Sequence, residues 1–242
     1  KKIFGEDGNV FAIGLKDSSI FDLKVFTNYS KEFFENRKQN EERYDALFTD
    51  AEKYLEYIHE KLDELNLWEN SIIIVFSDHG MSLGEKFGER AYGALCYEST
   101  INTFYSYFSS DLKHKEITSQ VRSVDFMPTI LEHLGIKLDT NFEPLDGVSL
   151  FPLINDQNPK ENFAYIETGN PLDSKIPPKK PNTKSIRTSE WKLIVNEYND
   201  TKELYDLKND PLEENNLINT GLEIESILWE EFLKIQEKSV IN

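Results

Sequence analysis

The sequence predicts an α/β fold: a sheet flanked by helices, followed by a small antiparallel sheet closed by a helix. Three observations carry this expectation. The run Ile72-Ile73-Ile74-Val75-Phe76 has the β-branched and aromatic density of a strand covered on both faces. Ahead of it, Tyr44, Leu47, Phe48, Ala51, Leu55, Ile58, Leu62 and Leu65 recur at threes and fours, the stripe of a long amphipathic helix. Beyond Pro152, short strand-like runs precede a helical pattern at Ile224, Ile227, Leu228, Phe232 and Ile235.

Taken in order, residues 1–40 read as an irregular lead-in, with Val10-Phe11-Ala12-Ile13 as a short strand. Residues 41–66 form about seven helical turns. Their stripe is expected to pack on the sheet, because a strand follows after the short connection 67–71. A second, aromatic-rich strand spans 103–108. Ser123 or Asp125 then caps a short helix that tolerates Pro128 in its first turn and buries Met127, Ile130, Leu131 and Leu134 before Gly135 ends it. A loop rich in proline and lysine from Pro171 to Lys184 leads to strands near 185–188, 192–195 and 203–205. The expected units are the lead-in 1–40, an α/β portion 41–160 and a small α+β subdomain 161–242.

Twenty-seven basic and 44 acidic residues among 242 give a net charge of −17. That field repels nucleic acid and anionic membranes, and a polyanionic substrate would need local positive charge. No stretch reaches the roughly 20 apolar residues of a membrane span, and the lysine-led start has no long apolar core of a signal peptide. The compartment stays open. A single cysteine, Cys96, forbids an internal disulfide. The only methionines are Met81 and Met127, so the chain is expected to be a piece of a longer polypeptide.

Asp78 and His79 emerge at the carboxyl end of the predicted first strand, where open α/β sheets place their ligands. A carboxylate beside a neutral imidazole offers oxygen and nitrogen donors, a mixture accepted by zinc, manganese and similar ions. On the triplet alone, a plain turn with Asp bonding its own backbone and Gly80 supplying φ > 0 is the competing account. Two donors do not complete a site, and no second Asp/His cluster is obvious. His59, His114 and His133 read as surface or structurally satisfied histidines.

The segment Ser77-Asp78-His79-Gly80-Met81-Ser82-Leu83-Gly84-Glu85 does not stand alone. It is followed by Tyr97-Glu98, Asp125-Phe126-Met127-Pro128-Thr129 and Asp146-Gly147-Val148-Ser149-Leu150. Arg187-Thr188, Trp191-Lys192-Leu193-Ile194, Glu203-Leu204-Tyr205-Asp206-Leu207, Asp210-Pro211, Glu213 and Asn216-Leu217 close the series. This order, from about residue 44 to 217, resembles the sulfatase branch of the alkaline phosphatase superfamily. The resemblance implies an alkaline phosphatase-like sheet flanked by helices, here in part. It implies that Asp78 and His79 hold a divalent ion, calcium or magnesium in a sulfatase, manganese or zinc in a phosphoesterase.

The resemblance also implies an aspartate pair near the beginning of the enzyme and a nucleophile in a Cys/Ser-x-Pro-Ser-Arg motif, neither of which is present here. Cys96, in Leu95-Cys96-Tyr97-Glu98, is not that cysteine. No catalytic residue is therefore expected in this chain, which reads as the C-terminal half of an enzyme whose partner is the N-terminal half. Where sulfatases carry a substrate-contacting lysine, residues 89–94 offer none; Arg90, and less directly Lys86, are the candidate substrate-binding charges. Asn102-Thr103-Phe104 stands where sulfatases commonly read Arg-Val-Pro. The implied function is hydrolysis of sulfate esters. A phosphoesterase or phosphotransferase of the same superfamily, and a catalytically silent binding module, are the alternatives.

Overall fold

Hydrogen bonding divides the strands into two antiparallel sheets. The computed structural model describes residues 31–89, 92–139, 141, 144–170 and 179–239. Two helices, α1 (Lys31–Glu35) and α2 (Arg37–Glu64), precede β1 (Ile73–Phe76). After α3 (Glu98–Ile101) comes β2 (Tyr105–Phe108), which pairs with β1 in the register Ile73 opposite Phe108 and Phe76 opposite Tyr105. Helices α4 (Phe126–His133) and α5 (Phe151–Ile154) lead to the second sheet. There β3 (Ala164–Thr168), β4 (Thr183–Arg187), β5 (Trp191–Asn196) and β6 (Thr201–Asp206) lie in chain order, and α6 (Glu223–Ser239) follows.

The period of two along these strands sorts their side chains onto two covered faces. Ile186, Leu193, Val195 and Leu204 meet Leu228 and Phe232 of α6, all of them buried. Trp229 stacks on Phe232 with ring centroids 5.4 Å apart. On the opposite face, Ile194, Tyr205 and Leu207 enclose Ala94, Leu95 and Tyr97, which belong to the segment after the Asp-His motif. The C-terminal sheet is thus a wall between α6 and that segment.

The turn before α4 shows what the Asp125-x-x-Pro-Thr pattern is for. The Asp125 carboxylate accepts from Arg122 Nη2 at 2.7 Å and from Val148 N at 2.9 Å. Thr129 Oγ1 donates to Asp125 O at 2.7 Å and accepts from Leu150 N at 2.9 Å. Asp125 is 2% exposed, and this knot ties α4 to residues 146–150. Gly147 completes it: a Cβ there would sit 1.9 Å from Val124 O.

Several expectations are corrected. Strand β3 was not anticipated: Tyr165, Ile166 and Thr168 favour a strand, but a run of five residues is too short to stand out from the loops around it. The first strand is not covered on both faces: Phe76 is 53% exposed, and β2, its one strand partner among the described residues, pairs with its edge and not its face. The same narrow sheet leaves the α2 stripe partly uncovered, with Leu55 and Leu65 exposed at 45% and 63%, although Tyr44 joins the Phe33–Leu83 cluster. Met127 and Leu134 are exposed as well, and the residue that α4 buries fully is Thr129. Helix begins at Lys31, inside the expected irregular lead-in. The strand expected at 10–13 and residues 171–178 of the proline- and lysine-rich loop lie outside the described residues.

Candidate metal centre and its cleft

Asp78 and His79 leave β1 one residue after Ser77, whose N–H donates to Phe104 O at 3.3 Å and so prolongs the β1–β2 ladder. His79 N donates to Asp78 Oδ1 at 2.9 Å, which fixes the carboxylate. His79 Nδ1 lies 2.7 Å from Gly80 O. A carbonyl can only accept, so Nδ1 carries the hydrogen, and Nε2 is the nitrogen whose lone pair the neutral ring would present. That Nε2 is 3.7 Å from Asp78 Oδ1. Two donors at this separation fit one divalent ion with bonds of about 2.0–2.4 Å. Among the described residues no third His, Cys, Asp or Glu joins them into a metal-holding cluster.

The turn below the pair is held from behind. Gly80 N donates to Thr100 O at 2.9 Å, so α3 forms the floor of the Asp-His turn. Contact is so close that a Cβ on Gly80 would lie 2.4 Å from Ser99 O. Gly80→Ala is therefore expected to lose about 1–3 kcal/mol of stability through overpacking. A urea titration of the complete protein checks this as a lower midpoint at unchanged m-value; an unaltered midpoint would show that the floor yields.

The remaining motif residues build the loop rather than the centre. Glu85 accepts from Leu83 N at 2.7 Å and Ser82 Oγ at 3.1 Å. Asn40 of α2 donates to Leu83 O at 2.8 Å and Phe33 O at 2.9 Å. Glu89, fully buried, accepts from Ala94 N at 2.7 Å. Burial pushes the Cys96 thiol up to about 12, which leaves it protonated and unreactive.

A cleft of about 790 Å³ opens beside the pair, lined by Asp78, His79, Tyr92, Arg122, Arg187 and Lys238 among others. The edge of the Tyr92 ring faces His79 at 5.4 Å between centroids. Arg90 lies outside the described residues. Lys86 is not part of the cleft wall: its ammonium donates to Glu213 O and lies 5.1 Å from the Tyr97 and Tyr205 ring centres. His59 and His133 are engaged elsewhere. His59 lies against Trp68 with centroids 4.9 Å apart, and His133 contacts Tyr107 Oη at 2.7 Å and Asp111 Oδ2 at 3.1 Å.

The sequence reading missed a buried ionic group behind the cleft. Glu98 accepts from Lys192 Nζ at 3.0 Å and from Arg187 Nη2 at 3.1 Å. Lys192, 0% exposed, also pairs with Glu213. Burial pushes the Glu213 carboxyl above the usual carboxylate range while Lys192 pulls it back. The available signal was Lys192 itself, a cation set inside the apolar run Trp191-Lys192-Leu193-Ile194-Val195.

With this geometry in place, comparison with known proteins gives a consistent result. The family model for sulfatases matches residues 21–136, and the model for the N-sulphoglucosamine sulphohydrolase C-terminal region matches residues 95–238. Arylsulfatase K of Rattus norvegicus is 29% identical over 237 residues, covering 93% of this chain and 40% of the rat protein. The N-acetylglucosamine-6-O-sulfatase of Bacteroides thetaiotaomicron is 30% identical over 177 residues, 68% of this chain and 29% of that protein. A solved protein in complex with its substrate D-glucosamine-2-N,6-O-disulfate superposes with a TM-score of 0.62 at 25% identity, covering 79% of this chain and 39% of the other. The chain thus spans about two fifths or less of the length of these curated relatives.

Proposed function

Because the chain belongs to the sulfatase family of the alkaline phosphatase superfamily, we propose that it supplies the Asp78–His79 half of the metal centre in a hydrolase of sulfate esters. The observation that supports this most directly is the convergence of His79 Nε2 and Asp78 Oδ1 at the mouth of a cleft. A divalent ion is the cofactor class that goes with the family; calcium or magnesium accompanies the sulfatase reading. When bound, it supplies positive charge that neutralises oxygens of the sulfuryl group during displacement.

The chain's own residues would do three things. Asp78 and His79 present one carboxylate oxygen and one imidazole nitrogen. Gly80 and α3 hold those donors at a fixed height above the cleft. Arg90 is assigned to the substrate's anionic oxygens, where a guanidinium provides two parallel donors. Lys86 is the other candidate, and its bond to the Glu213 carbonyl weighs against it. On this reading the nucleophile and the remaining ligands come from polypeptide that precedes Lys1 in the complete enzyme. Relatives named for sulfated amino sugars make a sulfated saccharide the first natural substrate to try.

The test is turnover of 4-nitrophenyl sulfate, 4-nitrophenyl phosphate and glucosamine 6-sulfate by the complete protein, with and without EDTA. Sulfate release abolished by chelation is the expected result. Turnover of the phosphate ester alone would move the protein to the phosphoesterase reading, and no turnover of any ester would favour the silent module. Arg90→Ala is expected to lower kcat/KM for the sulfate ester about 10- to 100-fold, the worth of a charge-assisted contact. Parent kinetics in that variant would remove Arg90 from the substrate-binding role.

A further inference from the structure

The tail pattern Glu203-Leu204-Tyr205-Asp206-Leu207, Asp210-Pro211, Glu213, Asn216-Leu217 has no part in the chemistry above. In the structure the first of these residues belong to β6, and residues 210–217 build a turn anchored to that strand. The Asp210 carboxylate accepts from Glu214 N at 2.9 Å and Asn215 N at 2.7 Å. Asn216 Oδ1 accepts from Leu204 N and Ile218 N, each at 3.0 Å, and pins the turn to β6. At its centre Glu213 adopts φ 57° and is 2% exposed.

Glu213 grips the metal-motif segment at two points. Its carbonyl accepts the Lys86 ammonium, one residue after the nine-residue motif. Its carboxylate accepts the Glu98 N–H at 2.8 Å and pairs with Lys192, which itself holds Glu98 Oε1 at 3.0 Å. Glu98 is the first residue of α3, and α3 is the floor on which Gly80 rests. A continuous path of direct contacts therefore runs from Glu213 through Glu98 and α3 to the two donor residues.

We propose that the Glu213 turn is a positioning element for the metal centre, setting the height and angle of Asp78 and His79 through Glu98 and α3. The inference rests on the metal reading of those two residues. Asp78 and His79 side chains are 84% and 39% exposed, so the loop has few contacts of its own with which to fix its geometry. Burying Lys192 with two carboxylates is also a poor way to gain stability, because apolar side chains of similar volume hold segments together as well. What the ionic group adds is direction: each charged hydrogen bond sets a distance and an angle. Residues that orient metal ligands from outside the coordination shell typically change metal affinity 10- to 100-fold when altered.

The experiment is titration of the metal-free complete protein with Mn²⁺, followed by electron paramagnetic resonance. Glu213→Gln and Glu98→Gln are each expected to raise the Mn²⁺ Kd about tenfold or more, and the double variant to add little, since both lie on one path. Leu228→Ala loosens the same sheet from the α6 side and should leave the Kd unchanged. Glu98→Gln retains the Lys192–Glu213 pair and decides the matter if Glu213→Gln does not fold. Parent-like Kd values in the Gln variants, or an equal loss in Leu228→Ala, would overturn the positioning role alone. A parent protein that binds no Mn²⁺ would overturn the metal reading and this inference with it.

Discussion

Asp78→Ala or His79→Ala in the complete protein is expected to lower metal-dependent kcat/KM about a thousandfold, with little change in the denaturation midpoint. The size follows from the role. A divalent ion at a transferring oxyanion contributes several kcal/mol of charge stabilisation, and about 4 kcal/mol is a factor of a thousand in rate. The small effect on folding follows from the surroundings. Asp78 bonds the His79 N–H and His79 bonds the Gly80 carbonyl, both hydrogen bonds within the turn itself, while beyond the turn His79 meets the ring of Tyr92. Exposed substitutions that break no long-range hydrogen bond or ion pair usually stay within about 0.5 kcal/mol. On the proposed metal reading the two residues serve one ion, so the double variant should be scarcely slower than either single one. Steady-state kinetics at saturating metal, beside a urea titration, check both halves. Parent turnover in either variant would remove that residue from the metal site.

How much of this was readable beforehand depends on sequence distance. The Asp-His turn was legible because strand, Asp-His pair and loop are contiguous over residues 73–85, so their periodicity and turn chemistry report on one another. The β4–β5–β6 meander and α6 were legible for the same reason, each element carrying its own pattern. Glu98, Lys192 and Glu213 were not, since their contacts join positions 94 and 115 residues apart and no local rule pairs them. The α2 stripe shows the complementary limit. Its period of 3.6 correctly announced a helix, but periodicity names a face that needs covering and not the element that covers it. Strand β3 failed for a third reason: its Tyr165, Ile166 and Thr168 favour a strand, but five residues are too few to announce one, and it is the ladder with β4, from Ala164 opposite Arg187 to Thr168 opposite Thr183, together with Tyr165 on Phe232, that defines it.

The buried ionic group carries the largest expected effect on stability. Lys192→Met keeps the volume and removes the only partner that reaches both Glu98 and Glu213 among the described residues, so a loss of about 3–5 kcal/mol is expected. Arg187 still holds Glu98 Oε2 at 3.1 Å, which makes Glu213 the carboxylate that loses its ion-pair partner. The loss should depend on pH, and its sign can be worked out. Burial already pushes the Glu213 carboxyl up in the parent, and Lys192 is the principal influence pulling it down. Without that ammonium the folded-state value rises further above the unfolded value of about 4.3. A group raised on folding contributes stability that is present below its unfolded pKa and lost as pH rises through its folded pKa. The deficit of Lys192→Met relative to the parent should therefore be largest at neutral pH and shrink toward pH 5, as Glu213 takes up a proton and no longer needs a countercharge. Paired urea titrations at the two pH values measure it. A deficit that grows in acid, or one below about 1 kcal/mol at neutral pH, would show that Lys192 is not the charge on which Glu213 depends, and would make the wall behind the metal loop a matter of apolar packing alone.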